Sequence, residues 1–237
     1  MQLSRLVDAR YWVGFTEWPI WQFILGGLQV TISMAVVSIV ASLILGTLLA
    51  LARLSPYRAL RWPATGYIEL IRALPLLYLI FFAFFGGARF GLREPAIAAT
   101  VALIVYTSAV NAEIVRAGIL SIERGQVEAA RALGLGYWRT MRLVVLPQAF
   151  RRVIPPQVSQ LVTLIKDTSL AYIVGTTELM RRIFILYSGF DTGVGVIQGL
   201  LVASCLYFVV NYALSSVGRW LERRGAGSAL RPQPAPA

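Results

Sequence analysis

The chain has no histidine, one lysine and one cysteine among its 237 residues. Without histidine there is no imidazole to ligate a metal or shuttle protons near neutral pH. A single cysteine, Cys205 in an apolar run, excludes an intrachain disulfide and any cysteine-based metal cluster. The lone lysine, Lys166, follows Ile165, so no G-x4-GK-[ST] phosphate loop exists in this chain. Acidic side chains are also few, 11 against 22 basic ones, for a formal net charge of +11. Charged residues make up 14% of the chain, where about 25% is usual for a soluble domain.

Apolar runs take the place of charge. Residues 18–52, 73–88, 95–112 and 192–218 contain no Asp, Glu, Lys or Arg. A membrane-crossing helix needs about 20 apolar residues, and the first and last runs suffice alone. The middle two reach that length only if flanking charges lie near the membrane boundary. The pattern predicts an all-α, multi-pass membrane protein with about five spans, near 20–51, 64–85, 96–118, 155–176 and 193–218. Residues 1–19 read as an external amphipathic lead-in with Trp12, Trp18 and Trp21 at the interface. Residues 119–152 read as one long inner loop, 178–191 as a polar outer segment containing a short helix, and 219–237 as a basic, partly disordered tail. The first run is too long for a signal-peptide core and lacks a charged leader directly before it, so no cleavage is expected. No internal repeat and no second domain are evident.

Arginine placement orients the bundle. With the N-terminus outside and the C-terminus cytoplasmic, fourteen arginines fall inside: 53, 58, 61, 116, 124, 131, 139, 142, 151, 152, 219, 223, 224 and 231. Six fall outside: 5, 10, 89, 93, 181 and 182. This is the positive-inside bias, and it explains the basic balance better than nucleic-acid binding does.

The inner loop carries a specific spacing. Glu128, Ala129, Ala130, Gly134, Val144, Leu146 and Pro147 match EAA-x3-G-x9-[IV]-x-LP at every fixed position. Glu128 to Leu133 is strong helix-forming sequence, Gly134 is placed to take a positive φ and stop it, and a second helix is expected from Tyr137 to Leu146, with Pro147 constraining its exit. Without that spacing, Arg131, Arg139 and Arg142 would suggest an amphipathic helix lying on anionic lipid.

This spacing resembles the cytoplasmic loop by which membrane subunits of bacterial ATP-binding-cassette importers dock onto their ATPase. The likeness extends over roughly residues 24–222. Ala112-Glu113-Ile114 with Arg116, Ile119, Ser121-Ile122 and Gly125-Gln126 is similar to a run of the polar amino acid permease family, as are Gln148-Ala149-Phe150-Arg151, Lys166-Asp167-Thr168-Ser169-Leu170 and Gly27-Leu28-x-Val30-Thr31. Arg72-Ala73-Leu74-Pro75 stands where RGTP is common, and Val110 stands where an aromatic residue is common.

The resemblance implies a type I importer fold in the bacterial inner membrane. It also implies that the chain itself binds no cofactor, with ATP and Mg on partner ATPase subunits, and that a second permease subunit and an extracytoplasmic binding protein deliver and pass a polar amino acid, with glutamate or glutamine preferred.

Two further groups have more than one reading. Ser159, Thr163, Lys166 and Asp167 fall on one helical stripe. Lys166 and Asp167, with Thr163, Thr168 and Ser169 nearby, either line the pathway and take the two charged ends of an amino acid, or form an internal ion pair. Glu69 with Arg72 and Glu113 with Arg116 are spaced i,i+3 and are expected to pair along their own helices as gating or structural pairs. An ion-coupled secondary transporter or channel, with Lys166–Asp167 as its ion site, is an alternative that inverted repeats would favour, and none is evident; a non-transporting membrane scaffold that anchors an ATPase is a third reading.

Overall fold

The computed structural model describes residues 8–189 and 192–226. Arg5, Asp191 and Arg231, and the tail beyond residue 226, lie outside the described residues. Every regular element among the described residues is helical. After 3-10 turns at Ala9–Tyr11 and Val13–Thr16 come α1 (Trp18–Leu54), α2 (Arg58–Ala73) and α3 (Leu76–Phe81), the last continued by a π turn at Phe82–Gly86. A 3-10 turn at Ala88–Phe90 leads to α4 (Pro95–Leu120), followed by α5 (Arg124–Ala132) and α6 (Tyr137–Thr140). A π turn at Met141–Val145 joins α6 to α7 (Leu146–Asp167), and a 3-10 segment at Thr168–Val174 extends it. The chain closes with α8 (Leu179–Ser188) and α9 (Val196–Ala226).

Three of these helices, α1, α4 and the Val196–Trp220 part of α9, are long and apolar enough to cross a membrane, and the bent pair α2–α3 reaches that length only when its two parts are taken together. The fourth expected span coincides with α7 and its extension, where Arg151, Arg152, Lys166 and Asp167 lower the mean apolarity. It packs among α1, α4 and α9.

Packing on α1 follows membrane logic. Apart from Ile24 and Met34, its buried residues are small (Gly27, Thr31, Ala35, Ser38, Ser42, Gly46 and Ala50), while Ile32, Val36, Val40, Ile44 and Leu48 are exposed. Lipid solvates large apolar side chains as well as protein does, so small residues take the helix contact and let backbones close in. At Gly46 a Cβ would lie 2.6 Å from Asn111 Cβ and 2.8 Å from the Ser108 carbonyl oxygen on α4. Asn111 donates to Ser42 Oγ (3.2 Å) and accepts from Gln157 Nε2 (2.8 Å), linking α1, α4 and α7.

A second node lies where α8 meets α1. The buried Glu178 carboxylate caps α8, accepting from the amides of Met180 (2.9 Å) and Arg181 (2.7 Å) and from Tyr207 Oη on α9 (3.1 Å). Thr31 accepts the Leu179 amide at 3.1 Å, and Gly27 leaves room for Leu179 Cα, which a Cβ would approach to 3.0 Å. Arg182 donates to the Phe23 carbonyl at 2.7 Å and lies over the Phe23 ring. Of the expected interfacial tryptophans, Trp12 and Trp18 are exposed, whereas Trp21 is part-buried and donates to the Phe15 carbonyl.

Several boundaries differ from expectation. The segment expected as the second span is not one continuous helix. Leu74 precedes Pro75 and is held extended, so α2 and α3 meet at 105°. The fourth begins at Leu146 rather than at Pro155-Pro156, and both prolines lie inside it. Hydroxyls of Ser159 and Thr163 donate to the carbonyls of Pro155 and Ser159 along this stretch. Pro147 does not end the preceding helix either. The wide turn at 141–145 precedes it and lets the helix pass a residue with no N–H. Basic residues 219–224 ride on α9, whose helix persists to Ala226.

Candidate coupling loop and intramembrane cavity

Gly134 ends α5 with φ +81°. The Gly134 amide donates to the Arg131 carbonyl (2.9 Å) and the Leu135 amide to that of Ala130 (3.1 Å). This is the two-bond closure that a left-handed glycine allows. A Cβ at Gly134 would meet nothing within 4 Å, so conformation rather than space demands glycine. Ala130 is buried against the loop's base, and Glu128 and Ala129 face outward. Beyond them Leu133 is 84% exposed and Trp138 82%, with Tyr137 also exposed, forming an apolar patch beside four arginines, 124, 131, 139 and 142.

The loop is anchored. Ile122, Val145 and Ala149 form a small core with Ile119, Val127 and Met141, and Arg152 donates to the Ser121 carbonyl. Val144 is part-buried within the π turn, and Leu146 and Pro147 are exposed just after it. From Tyr137 to Asp167 the chain is one uninterrupted helical rod through that turn. A rise of about 1.5 Å per residue makes it roughly 45 Å long.

The far end of the rod forms part of a cavity of about 430 Å³. Its wall includes Arg72 from α2, Tyr106 and Val110 from α4, and Gln160, Thr163 and Asp167 from α7. Among the described residues no ion pair joins Arg72 to Asp167, so these opposite charges line one cavity without pairing with each other. Lys166 is exposed on the chain's surface away from this wall, Thr168 is fully buried and donates to the Ile165 carbonyl, and Ser169 donates to that of Lys166. Five residues were expected along the pathway, and the structure places Thr163 and Asp167 on the wall but not Lys166, Thr168 or Ser169. The geometry is simple: at about 100° per residue, Gln160, Thr163 and Asp167 centre a quarter-turn from Lys166. Tyr106 and Gln160 carried no signal in the sequence. Arg72 did, but as a pairing residue.

That pairing is also different. Glu69 pairs with Arg53 at 3.0 Å rather than with Arg72. Glu113 holds Arg116 at 2.8 Å as its spacing predicts, and also Arg53 at 2.7 Å, with Arg72 at 3.8 Å. Arg53, from the last turn of α1, reaches both carboxylates and displaces the expected contact along α2. A second cavity of about 680 Å³ between α1, α4 and α7 is almost wholly apolar and contains no charged side chain. It offers nothing to an ionic solute.

The profile of the family described as "binding-protein-dependent transport system inner membrane component" matches residues 42–226. This chain belongs to that family, and is a multi-pass protein of the bacterial inner membrane. It is 40% identical over 203 residues to the probable glutamine ABC transporter permease protein GlnP of Bacillus subtilis (strain 168), covering 85% of this chain and 93% of that one. It is 36% identical over 218 residues to the glutamate/aspartate import permease protein GltK of Escherichia coli O6:H1 (strain CFT073), covering 88% and 96%. Among solved structures, a chain of an amino acid ABC transporter crystallised with histidines superposes with a TM-score of 0.79 at 30% identity, covering 86% of this chain and 94% of that one.

Proposed function

We propose that the chain is the translocation subunit of an ATP-driven importer for a polar amino acid, and that a separate ATPase docks on the loop around Glu128–Gly134. The observation that carries this reading is the unbroken rod from Tyr137 to Asp167. One end bears the exposed patch of Leu133, Tyr137 and Trp138, and the other supplies Thr163 and Asp167 to a charged cavity. A push at the loop therefore displaces the cavity wall without an intervening joint.

The cavity suits a zwitterion. Arg72 is placed for the α-carboxylate and Asp167 for the α-ammonium, with Tyr106, Gln160 and Thr163 left for a polar side chain. The relatives named for glutamine and for glutamate/aspartate support that class, with glutamate or glutamine preferred. ATP and Mg belong to the partner ATPase, since this chain has no phosphate loop. A second permease subunit related by a two-fold axis completes the pathway, and an external binding protein delivers the solute. The N-terminus lies outside and the C-terminus in the cytoplasm, as the arginine bias requires. Closure of two ATPase subunits draws the loops together and rocks the rods from inward-open to outward-open.

Gly134→Asp tests the docking role. Uptake is lost while membrane insertion is unchanged, and the variant no longer co-purifies with a Walker-containing partner. Normal uptake by this variant refutes the docking role.

A further inference from the structure

We propose that Arg72 is a shared cation, binding the α-carboxylate of the transported amino acid in competition with Glu113, so that cavity occupancy is felt in the C-terminal turns of α1, α2 and α4. This rests on reading the cavity as an amino acid site. The cluster is one carboxylate short, with three guanidiniums (Arg53, Arg72, Arg116) facing Glu69 and Glu113. Arg53 bridges both acids at 3.0 and 2.7 Å, and Arg116 forks onto both oxygens of Glu113 through Nε and Nη2 at 2.8–3.2 Å. Arg72 is left at 3.8 Å, beyond hydrogen-bond reach, with its side chain 46% exposed. Within this cluster the surplus positive charge thus falls on Arg72, the one of the three arginines that also lines the cavity, where Asp167 is the only acidic group on the wall.

Position adds a consequence. Arg72 occupies the last turn of α2, two residues before Leu74, where the backbone turns extended and the two half-helices meet at 105°. A guanidinium drawn toward a ligand loads that junction and releases its weak tie to α4. Glu113 keeps Arg53 and Arg116, so the cluster loosens at one contact rather than collapsing.

The test is equilibrium binding of radiolabelled L-glutamine, L-glutamate and L-arginine to the full-length chain in lipid nanodiscs. Each is paired with its decarboxylated amine (4-aminobutanamide, 4-aminobutanoate or agmatine). For whichever amino acid binds, Arg72→Gln weakens it by about 10- to 100-fold, the loss of one charge-assisted hydrogen bond. Arg72→Lys falls between, keeping charge but losing the fork. The wild type rejects the decarboxylated amine, and Arg72→Gln no longer distinguishes the two.

Glu113→Gln removes the competitor and tightens binding about two- to fivefold, the range of a partly exposed ion pair. Arg116→Gln frees Glu113 for Arg72 and weakens binding by a similar factor. A purely structural cluster would move both variants the same way, and that result overturns the inference. So does full carboxylate discrimination in Arg72→Gln. If Glu113→Gln does not insert, the sign of the Arg116→Gln shift decides. Failure of all three amino acids to bind the wild type overturns the cavity reading as well.

Discussion

Gly134 offers a separation of backbone conformation from space. Its φ of +81° lies in the left-handed region, and a Cβ there would touch nothing. Alanine therefore incurs only the backbone penalty, about 1–2 kcal/mol for an L-residue in that region. Because 1.4 kcal/mol is a factor of ten, the closed loop geometry falls by roughly 5- to 30-fold relative to frayed alternatives. Asparagine visits the left-handed region more readily and loses less, while β-branched valine loses more. In proteoliposomes holding the assembled transporter, transport per ATP hydrolysed should rank Gly, Asn, Ala, Val, with insertion equal for all four. An alanine variant that matches or exceeds asparagine would show that the loop's function does not depend on this turn.

Three other outcomes follow from contacts elsewhere. Asp167→Asn should raise the KM for amino acid uptake by about 10- to 100-fold, whereas Lys166→Gln should change it less than about twofold, because only Asp167 is on the cavity wall. Uptake kinetics in whole cells check the pair. Glu178→Ala should lower the thermal unfolding temperature in detergent far more than Glu178→Gln, which still accepts a bond from the α8 amides. The difference is about 1–3 kcal/mol for each buried donor left unpaired. Gly27→Val should destabilise by a comparable 1–3 kcal/mol through overpacking on Leu179, seen as reduced folded yield by fluorescence-detected size exclusion.

Local features were legible and composite ones were not. The spacing from Glu128 to Pro147 acts within one loop, so the positive φ at Gly134 could be read directly from residue type. The spans followed from charge-free runs, and the Gly27–Thr31 run turned out to be the seat of α8. Prolines were read less well, because their effect depends on what precedes them. Pro75 breaks a helix in an extended setting, whereas Pro147 passes behind a π turn and Pro155-Pro156 lie inside α7. The cavity joins Arg72 to Asp167 across three helices, and no spacing within one helix encodes that meeting. Lys166 and Asp167 lie about 100° apart on the helix, so a stripe that holds both is wide, and the cavity takes only its Asp167 side. Arg53 was read only as an inner-face charge, since its reach to Glu69 and Glu113 depends on how α1 returns against α2 and α4.

Coupling of the loop to the cavity requires that the rod from Tyr137 to Asp167 move as one body. Spin labels at Arg139→Cys and Thr163→Cys, in a Cys205→Ser background, sit about 36 Å apart along it at 1.5 Å per residue. A second pair links Thr163→Cys to Tyr106→Cys on α4. Electron–electron distance measurements with and without ATP should find the first separation unchanged and the second shifted. A first separation that changes with nucleotide while the second stays fixed would mean the helix bends at its π turn, and the loop does not drive the cavity.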